Sequence, residues 1–171
     1  GWTSDCEILD VKMSSDISEE YAFGQMASAL PPDLPLRRVR LVEDSHPKTM
    51  AMLTMADYEI SLSGDGAEQA AGAIPGFLAE TQVIALRKTK SGEKPTDIRP
   101  MSVLLDSKQT DVGMMILARL MLTETATLKP DLLIQVLSRR AGLEAPPETA
   151  IHRTSLLGLD KERQPHDLLT L

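Results

Sequence analysis

Residues 56–64, ADYEISLSG, set Tyr58, Ile60 and Leu62 on one side of an extended chain and Glu59 and Ser61 on the other. A period of two over that length is the mark of a strand with one face in a core and one in water. Further segments read the same way, and helices stand between several of them. CEILDVKM (6–13) alternates and predicts a strand, and LPLRRVRLVE (34–43) predicts a second with Leu36, Val39 and Leu41 as its apolar positions. TQVIALRKT (81–89) and TDIRPMSVLLD (96–106) predict two strands joined by a turn at Lys90-Ser91-Gly92-Glu93. DVGMMILARLMLT (111–123) predicts a buried strand and PETAIHRTSLL (147–157) a final one.

Helix signals fall in the gaps. Ser18 precedes Glu19 and Glu20 as an N-cap with acids in the first turn, Ala22, Met26 and Ala29 supply an apolar face, and Pro31-Pro32 stops the run. GAEQAAGAIPGFLAE (66–80) is a helix weakened at Gly72 and interrupted at Pro75. KPDLLIQVLSRRAG (129–142) is the strongest, with Pro130 and Asp131 at its start, Leu133, Val136 and Leu137 inward, and Gly142 as its stop. The Met-rich stretch 48–56 reads as a short helix or a packed connector.

This order implies an α+β fold, most simply ferredoxin-like split β-α-β units with the first unit incomplete. The expected division is 1–47 as the downstream half of a first β-α-β module, 48–157 as a second α+β module, and 158–171 as a polar tail. That tail is expected to fray unless Leu168, Leu169 and Leu171 dock. With aromatics at 3% and nine methionines, the core must be aliphatic and Met-rich.

The same composition limits the chemistry. One cysteine, Cys6, excludes an internal disulfide and favours a reducing compartment, so the cytoplasm is the expected location. His46, His152 and His166 lie far apart in sequence, so no metal site is expected, and an iron–sulfur cluster held by this chain alone fails on ligand count. No nucleophile elbow, P-loop or dinucleotide fingerprint occurs, so no cofactor is expected in this chain. The apolar runs are too short and too often broken by charge to span a membrane.

Net charge is −7, but residues 1–80 carry −9 and residues 81–171 carry +2. Five of the basic residues crowd into RKTKSGEKPTDIRP (87–100). Arg87, Lys88, Lys90 and Lys94 then lie on a hairpin from which they can reach a phosphate backbone. Asp97 and Arg99, two apart on an expected strand, share a face, so they pair with each other or Asp97 aims Arg99 at an anion. The plainer alternative is turn chemistry with lysines guarding an edge. His152 and Arg153 form a second candidate anion or base contact on the closing strand, against the alternative of an exposed rim.

RKTKSGEKPTDIRP resembles the strand-turn-strand signature of an uncharacterised radical-SAM-linked domain, found in bacteria fused to or encoded beside cobalamin-binding radical S-adenosylmethionine enzymes. GWTSDCEILDVKM resembles that family's segment after a PLP-x-G turn, and LSRRAGLEAPPETAIHRTSLL its closing helix and strand, so the likeness runs over most of 1–157. The family's Arg/His-rich helix and GFNPHP-like segment have no counterpart here, so the chain is expected to be the downstream part of a longer protein. The resemblance implies a noncatalytic accessory or substrate-presenting domain partnered with a radical SAM enzyme, and its gene-order associations point to RNA. Two alternatives stand beside it. In one, an active site is completed by upstream residues, with Asp97 as acid, base or orienting carboxylate and Arg99 on an anion. In the other, segments 48–56 and 111–123 dock on the radical enzyme.

Overall fold

The structure, a computed structural model, describes residues 1–89 and 92–168. Lys90, Ser91, Leu169 and Leu171 therefore lie outside the described residues. The chain divides into two compact units, Gly1–Ile8 with Met52 onward, and Leu9–Ala51. Residues 1–8 thus go with the larger unit instead of a separate 1–47 module.

The larger unit is α+β. Its main sheet holds six strands: β1 (Trp2–Ser4), β2 (Met55–Ser63), β5 (Ser102–Thr110), β6 (Gly113–Met121), β7 (Glu148–Leu159) and β8 (Pro165–Asp167). They lie in the order β1-β7-β2-β6-β5, with β8 also on β7. Every ladder is antiparallel except β1 on β7, so the sheet is mixed. A separate two-stranded ribbon, β3 (Ile84–Thr89) with β4 (Gly92–Asp97), stands between the helices and β5 in sequence.

The alternation of 56–64 is realised as read. Tyr58, Ile60 and Leu62 of β2 join Ile116, Ala118 and Leu120 of β6, Leu105 of β5 and Ile151 of β7 in the core. Asp57, Glu59 and Ser61 lie half-buried on the other face. Helices α3 (Ala67–Gly72) and α4 (Ile74–Ala79) meet where the sequence predicts a break, with Pro75 in the first turn of α4. Helix α5 (Pro130–Arg140) buries Leu133, Ile134 and Leu137. It closes with Leu143 N–H on the Ser138 carbonyl (2.9 Å) and Gly142 N–H on that of Arg139 (3.1 Å). This paired closure needs a left-handed residue, and Gly142 has φ 75°.

In the smaller unit, Ser18 caps α1 (Glu19–Ala29), its Oγ accepting from Tyr21 N at 3.1 Å. Asp10 accepts from Thr49 N (2.9 Å) and Thr49 Oγ1 (2.6 Å), fixing the start of the single-turn helix α2 (Thr49–Met52).

Four expectations are corrected. Residues 6–13 form no strand: β1 pairs with 151–153 of β7, and from Leu157 onward that same edge belongs to β8, so a longer β1 would run into it. Residues 34–43 also form no strand; apolar positions do not by themselves make a ladder, which needs a partner, and none is found among the described residues. Asp97 ends β4, and Ile98–Met101 turn the chain into β5, so Asp97-Ile98-Arg99-Pro100 is a corner. The boundary at 157 also moves: β7 runs on to Leu159 and pairs there with β8, and Leu168 docks, the alternative left open for the tail.

Gly113 follows the β5–β6 turn with φ 148°, and a Cβ there would sit 2.1 Å from the Leu62 carbonyl oxygen. Gly113→Ala combines a forced backbone with a collision against main chain. It is expected to destabilise the protein by about 2 kcal/mol or more, seen as a lower urea midpoint with an unchanged m-value. An unaltered midpoint would contradict this close approach.

Candidate functional site

The ribbon β3–β4 is built from the bottom up. Val83 and Ala85 are buried and anchor it, while Ile84 and Leu86 on the opposite side are 57% and 52% exposed. Antiparallel register sets Arg87 opposite Lys94 and Lys88 opposite Glu93. Directly opposed residues share a face. Arg87 and Lys94 therefore occupy the side that carries Ala85 and Thr96, and Lys88 and Glu93 the side that carries Leu86 and Pro95. No side-chain hydrogen bond or ion pair to another described residue holds the Arg87, Lys88 or Lys94 head group, and all three reach solvent.

At the root of the ribbon two further candidates are already occupied. Asp97 Oδ1 accepts from Val83 N (2.9 Å) and Arg99 N (3.1 Å), a side-chain turn that stitches β3 to the corner. Arg99 donates through Nη1 to the Ser102 carbonyl (3.3 Å) and through Nη2 to the Leu78 carbonyl (3.2 Å), with its guanidinium 5.9 Å from the Phe77 ring centroid. Asp97 and Arg99 do not pair through their side chains as expected; each ties backbone together.

His152 and Arg153 are on β7, separated from β5 by β2 and β6, and the structure does not join them to the ribbon through any shared ladder. They point to opposite faces, as the alternation requires. On one face His152 Nδ1 meets Thr3 Oγ1 at 2.8 Å and Nε2 meets Asp5 Oδ2 at 3.0 Å. On the other, Arg153 donates to Glu7 and, through Nε, to Ser4 Oγ at 3.4 Å. Its carbonyl accepts from Asp5 N at 3.0 Å and from the buried Cys6 thiol at 3.6 Å. Burial pushes the Cys6 thiol and the Tyr58 hydroxyl up from their ordinary values. Burial works most strongly against the charges of Glu7 and Arg153, but their mutual hydrogen bond, their coulombic attraction and the smaller contributions of neighbouring groups together outweigh it. The Glu7 carboxyl is held below, and the Arg153 guanidinium above, its usual range. These contacts fasten residues 2–7 to β7, and nothing in the sequence marks Thr3, Asp5 or Glu7 as their partners.

The face of the main sheet opposite the core holds two grooves. One, of about 180 Å³, is lined by Thr3, Glu59, Ser61, Met115 and His152 among others. The other, of about 200 Å³, includes Asp57, Leu104, Leu117, Arg119 and Thr154. Asp57 and Arg119 are directly opposed on β2 and β6 and bond in two places, at 2.7 and 2.8 Å. That bonding raises the Arg119 guanidinium above its ordinary value. The signal for this pair was present as single opposite charges on the polar positions of two strands, but only adjacency makes it legible. Among the described residues no cluster of three metal-ligating side chains occurs, and no helix is long and apolar enough to cross a membrane.

Residues 1–130 match the model of a family described as an uncharacterized protein conserved in bacteria, DUF2344. The chain belongs to this family. The match takes in every strand up to β6 and the ribbon, whereas α5 and β7, with His152 and Arg153, lie almost wholly beyond it. No curated protein and no solved structure matches the chain.

Two predictions separate structural from accessible charge. Arg99→Ala strips donors from the Ser102 and Leu78 carbonyls, at a cost of about 1–3 kcal/mol for each group left unsatisfied. It should therefore lower the melting temperature by several degrees, whereas Lys94→Ala should not. Glu7 supplies a pH test. A carboxyl lowered in the folded state contributes stability above its unfolded value and loses it as pH falls through the folded value. Urea midpoints of the parent should therefore fall more steeply below pH 4.5, the ordinary value of this carboxyl, than those of Glu7→Gln. Parallel curves would remove Glu7 from the acid response.

Proposed function

We propose that this DUF2344 chain is a noncatalytic, substrate-presenting domain of a bacterial radical S-adenosylmethionine system, working in the cytoplasm and contacting RNA through the β3–β4 ribbon. The supporting observation is a contrast among cations. Arg99, Arg119, Arg140 and Arg153 each bond carbonyls or carboxylates through their side chains, whereas the side chains of Arg87, Lys88 and Lys94 bond none of the described residues. Asp97 has its Oδ1 committed to two backbone N–H groups, which weighs against its use as an acid or base. A ferredoxin-like description of the larger unit belongs to the same proposal. It is supported by the antiparallel order β7-β2-β6-β5 with helices after β2 and β6, the ribbon being an insertion.

The test is filter binding of bacterial RNA to the chain at two salt concentrations. Binding should weaken with salt, at a slope of roughly −0.7 for each single-strand phosphate neutralised. Replacing Arg87, Lys88 and Lys94 together by Gln should abolish it, with the melting temperature retained. Salt-insensitive binding, or binding equal in parent and variant, would remove the ribbon from the interaction.

A second reading, docking on the radical enzyme, draws on one observation. Met115, Leu117 and Met121 of β6 are half-buried on the face opposite the core, an adaptable apolar row. The 48–56 stretch offers less, since Met55 is buried and Met52 packs on the core, leaving Met50 exposed. Co-purification with the enzyme that survives high salt would favour this reading.

A further inference from the structure

We infer that Arg87 and Lys94 form a two-cation clamp for a single dianionic phosphate monoester, at the end of an RNA strand or on a mononucleotide. This deepens the RNA reading and rests on the ribbon being its contact surface.

The argument is one of register and charge. Arg87 and Lys94 are directly opposed across β3 and β4 on one face of the ribbon. Cβ atoms of opposed residues stand roughly 4.5–5.5 Å apart, so two like charges at these positions cost stability. The opposite face spends no such repulsion, because Lys88 stands across from Glu93. The ribbon thus divides its charge: one face is balanced, and the other carries a doubled positive charge that the described residues leave uncompensated. The flanking pair on that face, Ala85 and Thr96, adds no charge.

A phosphodiester brings one negative charge to such a pair, while a terminal phosphate brings about −1.5 to −2 and three acceptor oxygens. A guanidinium can take two of those oxygens in a fork and an ammonium the third. The rest of the molecule favours the same choice. At a net charge of −7 it repels a long polyanion, whereas one compact dianion between two cations gains from contacts far shorter than a Debye length.

The experiment measures fluorescence anisotropy of the full chain with one oligoribonucleotide bearing either a 5′-phosphate or a 5′-hydroxyl, with adenosine monophosphate as competitor. The phosphorylated strand should bind about tenfold tighter, the size of one charge-assisted contact. Arg87→Gln and Lys94→Gln should each erase that preference, while Lys108→Gln, on the exposed side of β5, should keep it. Both clamp variants should melt at or above the parent temperature, because each removes a repulsion; a marked fall would make these residues structural and overturn the clamp. Equal, salt-sensitive binding of both strands would overturn the clamp and leave the RNA reading standing. Failure of both strands and of the nucleotide would overturn the two together. Competition by the nucleotide as effective as by the phosphorylated strand would sustain the clamp and assign it to a small phosphate monoester.

Discussion

Ile151, Ile60 and Ile116 stand side by side on β7, β2 and β6, aligned in register and almost wholly removed from water. Burying three such side chains stabilises by roughly 1.5–3 kcal/mol each. Their alignment does more than add to that sum. A slip of one residue on any of the three strands would turn its isoleucine to the opposite face and bring a polar neighbour into the core. The row therefore fixes which residues face outward. It sets Glu59 and Ser61 beside Met115 and His152 in one groove and aligns Asp57 with Arg119 beside the other. It also sets β7 in place, and β7 carries β1 and β8 end to end on its outer edge.

The ribbon is held by different means. Its own ladder is six residue pairs, neither outer edge pairs with another strand among the described residues, and a two-stranded hairpin is marginal in water. What fixes it is its root, where Val83 and Ala85 are buried, Ile98 N–H bonds the Val83 carbonyl at 2.9 Å, and Asp97 closes the corner. Arg99 braces the same corner against Leu78 and Ser102. An anchored root permits a ribbon whose outer half is free to spend stability on unpaired charge. Pro95 supplies no N–H to the β4 edge and Lys88 lies in β3, features that discourage strand addition by another chain.

Much of this was legible where the physics is local. The core strands show their period because each has one face against helices, and Ser18, Pro75 and Gly142 mark helix limits by chemistry confined to a few residues. Residues 6–13 and 34–43 misled for a related reason. Alternation records that a segment is extended with two unlike sides, but a ladder is decided by what lies alongside. The edge that residues 6–13 would have followed is shared with β8, which sequence cannot reveal. Asp97-Ile98-Arg99-Pro100 continues the apparent strand pattern, yet Asp two residues before Arg99 is itself a turn pattern, and the turn prevails. The site divided along the same line: the cationic hairpin was visible as a run of charge, while the partners of His152 and Arg153 come from well over a hundred residues away.

An acidic protein with a basic ribbon poses a problem of range. At physiological ionic strength charges separated by more than about 8 Å are largely screened. The excess of acids therefore weakens approach of a polyanion without cancelling contacts made at hydrogen-bond distance. Affinity under those conditions must come from a few well-placed cations, and opposed positions on a rooted ribbon hold two of them without the entropy cost of gathering flexible loops. Pairing Lys88 with Glu93 on the reverse face keeps the added charge on one side only. Under the reading proposed above, such an arrangement suits one compact anion better than adhesion to many.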